Sequence, residues 1–129
     1  MRSTLLRFAI AAALLILPLV GTAADISDVT GTWSGNWNPK GGVLDAVTVE
    51  IRLDNGKLAG KFRTPVPMDF TRISFEPKTG VVSFEATDAK TSKRYKLDGK
   101  LSGNDIKGTL VAGDVTGDVL LIKWTYVPR

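Results

Sequence analysis

The sequence contains no cysteine and no histidine. The first absence excludes disulfide staples, thiol catalysis, a lipid anchor on an amino-terminal cysteine and any cysteine-ligated metal. The second removes the commonest general base near neutral pH and the commonest nitrogen ligand for zinc or copper. Ser34 therefore has no histidine to activate it, and no pair of carboxylates is singled out for glycosidase-like work. Asp54, Asp98, Asp105, Asp114 and Asp118 fall in or beside turns, where aspartate caps its own backbone, and not at the spacing of a calcium loop. The expectation is a protein that is not an enzyme and carries no metal or cofactor.

A long apolar run is also missing, with one exception at the start. Arg2 and Arg7 precede an apolar stretch from Phe8 to Val20 that only Pro18 interrupts. It falls short of the roughly 20 residues of a membrane-spanning helix. The small residues Gly21-Thr22-Ala23-Ala24 follow it, as at a secretory cleavage site after Ala23 or Ala24. Residues 1–24 are thus expected to be a signal peptide and 25–129 a single domain, secreted or periplasmic, with no integral membrane anchor. Seventeen basic residues less Arg2 and Arg7 leave fifteen against thirteen acids, a charge of +2. So small a surplus gives no reason to expect nucleic acid as a partner.

What is present is alternation with period two, and no helical period follows the leader. Trp33, Gly35 and Trp37 alternate with Thr32, Ser34 and Asn36. Val47, Val49, Ile51 and Leu53 alternate with Thr48, Glu50 and Arg52, and Asn55-Gly56 then signals a hairpin. Leu58, Gly60 and Phe62 form the return, which Pro65 and Pro67 end, because proline cannot donate to a central ladder. Ile73 and Phe75 mark a fourth strand, and Val82, Phe84 and Ala86 a fifth. Tyr95, Leu97, Gly99 and Leu101 mark the sixth, and Ile106, Gly108 and Leu110 the seventh. Residues 112–117 read as a loop. In the last strand, Asp118 to Tyr126, Val119-Leu120-Leu121-Ile122 is apolar in both rows, which predicts cover on both sides.

Leu53 to Phe62 and Leu101 to Leu110 share the pattern L-x4-[LI]-x-G-x-[FL]. Each is a hairpin with a glycine between two inward apolar residues, as where a twisted strand crowds its neighbour. Eight short antiparallel strands predict an all-β, up-and-down barrel, in which closure removes exposed edges. The outer rows Thr48-Glu50-Arg52 and Arg94-Lys96-Asp98-Lys100 are too polar to face lipid, which excludes an outer-membrane barrel.

Gly31-Thr32-Trp33, opening the first strand of such a meander, resembles the G-x-W motif of the calycin superfamily, which includes lipocalins, fatty-acid-binding proteins and avidins. The resemblance implies that Gly31 and Trp33 are structural, with Trp33 closing one barrel end and Arg129 packing across it. The chain lacks the lipocalin helix, disulfides and second motif, and the tryptophan series of avidins, so the likeness bears on shape. The corresponding expectation is a binding module for a small apolar or amphipathic ligand, with Trp37, Trp124, Tyr126 and Tyr95 as candidate ligand-binding residues at a cavity mouth. The alternative is a protein-interaction module, such as an inhibitor of an exported enzyme or an envelope subunit, built on the apolar strand 119–122.

Overall fold

In a computed structural model that describes residues 24–125, eight antiparallel strands follow one another around a closed barrel. They are β1 (Gly31–Pro39), β2 (Asp45–Asp54), β3 (Lys57–Thr64), β4 (Met68–Phe75), β5 (Val81–Thr87), β6 (Arg94–Ser102), β7 (Asp105–Ala112) and β8 (Val115–Lys123). Each strand pairs with its neighbours in sequence. Closure is made by β1 against β8, in register from Trp33–Lys123 to Pro39–Gly117. Every strand expected from the alternation is present. The candidate signal peptide up to Ala23, Tyr126 and Arg129 lie outside the described residues.

The alternating rows become the two surfaces of the wall. Val47, Val49, Phe62, Val82, Phe84, Leu97, Ile106, Leu110 and Leu121 are all fully buried in the core. The intervening residues face out. At the middle, the Phe62 ring meets the rings of Phe70 and Phe84 edge-on, both at 5.6 Å between centroids, and Phe70 stacks on Phe84 at 4.5 Å. Aromatic pairs in such arrangements contribute beyond their buried area.

Three corrections come from the structure. Leu53 shares the inward row of β2 but stands at the hairpin end, past the wall, and is exposed. Residues 112–117 are not a loop, because Ala112 already pairs with Val115 and only Gly113-Asp114 make the turn. β8 accordingly starts earlier than expected, at Val115, and stops at Lys123, so Trp124 falls outside it. The third concerns its two apolar rows. Val119 and Leu121 are buried, but Leu120 and Ile122 face solvent, 39% and 49% exposed. The strand is covered on one side only.

β4 hides its alternation behind a bulge. Phe70 stands opposite Ala86 and Ile73 opposite Phe84, both inward, although three positions separate them. Thr71 is the extra residue, and its hydroxyl donates to the Glu85 carbonyl at 3.2 Å. A bulge lets both apolar pairs, Met68–Phe70 and Ile73–Phe75, face the core.

The glycines of the repeated hairpin pattern sit where neighbouring backbone comes too near for a side chain. A Cβ on Gly108 would fall 2.0 Å from the Asp98 oxygen and 2.5 Å from the Gly99 Cα, and one on Gly60 would fall 2.1 Å from the Glu50 oxygen. We predict that Gly108→Ala destabilises the fold by about 3 kcal/mol through forced backbone displacement. Gly56→Ala, in a turn at φ +81° with open space around it, should cost only about 1 kcal/mol of left-handed strain. Urea denaturation of the two variants checks the order, and equal losses would contradict the crowding.

Candidate functional site

One barrel end is closed by Trp33. A 3-10 turn, Ile26–Val29, is started by Asp25, whose carboxylate accepts from the Ile26 amide, while Asp28 accepts from the Asp25 amide. This capping box sets Val29 into the barrel mouth, where it is fully buried. The Trp33 indole donates to the Val29 carbonyl at 2.9 Å. Lys123 spans the same junction: its Nζ donates to the Asp28 carbonyl at 2.9 Å and lies 5.3 Å from the Trp33 ring centroid. Trp33 is itself fully buried at this end. Among the described residues the cation across it is Lys123, whereas Arg129 is not described. Gly31 enters β1 at φ +126°, beside the Lys123 side chain.

The other end holds Trp37 and Tyr95, two of the candidate ligand-binding residues. Both are buried. The Trp37 indole donates to the Leu110 carbonyl at 3.0 Å, reaching past β8 to β7. The Tyr95 ring packs against Phe62 at 5.9 Å. Trp124 lies at the Trp33 end, where its amide donates to the Thr32 carbonyl and its side chain is 62% exposed. The structure therefore brings Trp37 and Tyr95 to one end, places Trp124 at the other, and does not describe Tyr126.

The most distinctive surface is the outside of β1 and β8. Ser34 stands beside Ile122 and Asn36 beside Leu120, with Thr32 and Asn38 continuing the row. No charged side chain interrupts that row of β1. The charges sit around it, with Glu50 of β2 beside Thr32, Asp118 of β8 beside Asn38, and Asp105 and Lys107 of β7 opposite Ile122 and Leu120. A groove of about 450 Å³ opens here between Asn36, Asn38, Lys107, Asp118 and Leu120, beside Leu44 of the β1–β2 connection. Leu44 is itself 57% exposed. Around the wall the outer rows change character: Glu85 of β5 and Arg94, Lys96, Asp98 and Lys100 of β6 are charged, with Arg94–Glu85 and Lys96–Asp98 ion pairs among them. A smaller recess there, about 220 Å³, is lined by Arg72, Glu85 and Lys96 among others.

Sequence reasoning passed over Asn36, Asn38 and Leu44. A signal was present in the outer row of β1, Thr32-Ser34-Asn36-Asn38, the longest outward row without a charge among the described strands. Comparison with protein families, with curated proteins and with solved structures finds no match for this chain.

Two predictions test the barrel ends. Trp33→Ala should lower stability by about 3–5 kcal/mol, as expected for a buried tryptophan, and Lys123→Met by about 1 kcal/mol through loss of one hydrogen bond and a cation–π contact. Denaturant melts distinguish them. At the other end, burial pushes the Tyr95 hydroxyl above its ordinary value of 10.0, with the carboxylates of Asp88 and Asp45 adding to the effect. The unfolded chain then ionises first, so this stabilisation is complete below about pH 10 and is lost as pH rises beyond it. In a Tyr126→Phe background, native phenolate absorbance should appear at higher pH than in urea-unfolded chain. Coincident titrations would show that Tyr95 is solvated.

Proposed function

We propose that this protein is a non-catalytic interaction module, an exported barrel of the calycin type that docks another protein against the outer face of β1 and β8. One observation carries the reading: an uncharged row of threonine, serine and asparagine lies in register beside the exposed Leu120 and Ile122, inside a mixed-charge border. Protein interfaces combine such a charge-depleted, partly apolar centre with a polar rim. The exposed apolar side chains of one strand row give a partner area to cover, and the groove beside Leu44 gives it a place for a side chain.

The ligand-carrier alternative draws less support from the geometry. Its space would lie inside the wall, where the rings of Phe62, Phe70 and Phe84 pack against one another and the Trp37 indole is bonded past β8 to Leu110. The larger groove opens outside. An eight-stranded barrel has room for its own side chains or for one small ligand, but not both.

The test places a photo-activated crosslinking residue at Leu120, or at Lys100 as a control, in cells that make the protein. A discrete protein adduct from position 120, absent from position 100 and lost in an Ile122→Lys background, is expected. Sedimentation of the purified protein covers the case in which the partner is a second copy. A strict monomer that yields no adduct from Leu120 would overturn the reading.

A further inference from the structure

The outer face of β1 and β8 carries its charges in a fixed pattern, which the strand registers give directly. Leu120 of β8 stands between Asn36 of β1 and Lys107 of β7. One step along β8, Asp118 lies beside Asn38, and one step the other way Ile122 lies opposite Asp105. Lys107 and Asp118 are exposed and Asp105 is half-buried. None of the three is in an ion pair among the described residues. The exposed Leu120 is thus bordered by a base and two acids whose charges are not yet matched.

Both signs beside one leucine restrict what can cover it. A partner of a single sign would press like charge against Lys107 or against the aspartates, which opposes association. A second copy of the chain carries both signs, and a two-fold axis can bring unlike ones together. Orientation decides this. With the axis lying in the interface over Leu120 and directed along β8, Asp118 meets the partner's Asp118. Directed across the strands, it sets Lys107 on the partner's Lys107. On one diagonal, Asp105 meets the partner's Asp105. On the other, Lys107 meets the partner's Asp118 and Asp118 meets the partner's Lys107. There Leu120 packs on the partner's Leu120, and Asp105 meets the partner's Asn38, whose amide is a donor for a carboxylate.

We propose that the occupant of the β1–β8 face is a second copy of this chain, in a two-fold dimer with Leu120 on the axis and Lys107–Asp118 ion pairs on either side. The proposal rests on the docking role of that face and names its partner. Such a diagonal axis crosses the two sets of strands near a right angle, one of the two ways in which sheets pack face to face. Strands are spaced about 4.8 Å apart and alternate residues about 6.8 Å along a strand, a difference that the long lysine side chain spans. The groove of about 450 Å³ is lined by Asn36, Asn38, Lys107, Asp118 and Leu120 among others. It lies among the residues that form the pairs and gives the partner's Leu120 a seat. A convex wall buries little area, so the dimer belongs to the weak, exchanging class.

Sedimentation equilibrium up to millimolar concentration, on protein purified from the cells that make it, tests the proposal. The wild-type chain should show a monomer–dimer equilibrium. Lys107→Glu alone, or Asp118→Lys alone, sets like charges together at both symmetric contacts and should weaken association by roughly tenfold or more. An equimolar mixture of the two variants should recover it, because every contact between them again joins unlike charges. Both variants should keep the wild-type melting temperature. The proposal fails if the wild type stays monomeric, if either variant associates as the wild type does, or if the mixture does not recover association. A monomer whose position 120 still crosslinks to a different protein overturns the second copy and leaves the docking face standing. A monomer with no adduct removes both.

Discussion

Interior volume is the constraint from which the rest of this molecule follows. Eight strands enclose a space only wide enough for side chains or one small guest, and here aromatic rings occupy it. Phe62, Phe70 and Phe84 fill the middle. Trp33 and Trp37 stand at the two ends of one strand, each with its indole N–H satisfied by a backbone carbonyl, that of Val29 and that of Leu110. A buried indole needs such a partner, so both tryptophans are anchored where they stand. With its inside committed to packing, the barrel shows its chemical variety on the outer wall.

That wall is divided by chemistry. β5 and β6 carry charges of both signs that pair between the strands at Arg94–Glu85 and along β6 at Lys96–Asp98, as suits a solvated surface that discourages unwanted pairing. β1 carries none on its outer row, and beside it β8 exposes leucine and isoleucine. The small net charge of the chain therefore conceals a strong local contrast. The β3–β4 seam adds a third district, of mixed charge at its rim and with partly exposed apolar side chains beneath.

Most of the fold was legible because period two survives in nearly every strand. Val47-Val49-Ile51 and Tyr95-Leu97 announce their inward faces without ambiguity, and the hairpin glycines fall where crowding requires them. The lapses have physical causes. Thr71 shifts the phase of β4, so Phe70 and Ile73 cannot both be assigned inward by counting. The row Leu120-Ile122 is apolar whether it is covered or not, and only the arrangement of the whole barrel leaves it wet. Trp37 and Tyr95 read equally well as the lining of a mouth or as its stopper. Both are buried, but burial is a property of packing and not of pattern. Lys123 over Trp33 depends on a strand register that closes 90 residues after the tryptophan, beyond any local signal.

That last register has a consequence for how the molecule comes into being. The other seven pairings join strands consecutive in sequence and need only a turn or short connection to form, but β1 with β8 unites the two ends of the domain. Contacts so distant in sequence are slow to form, because the intervening chain must be ordered first. During synthesis the ribbon can grow hairpin by hairpin, while β1 waits with one edge open for a strand not yet made. Its outer threonine, serine and asparagines are soluble enough to wait without charge. The uncharged face spans the last join in the barrel, so it exists as a surface only once the whole domain has been built.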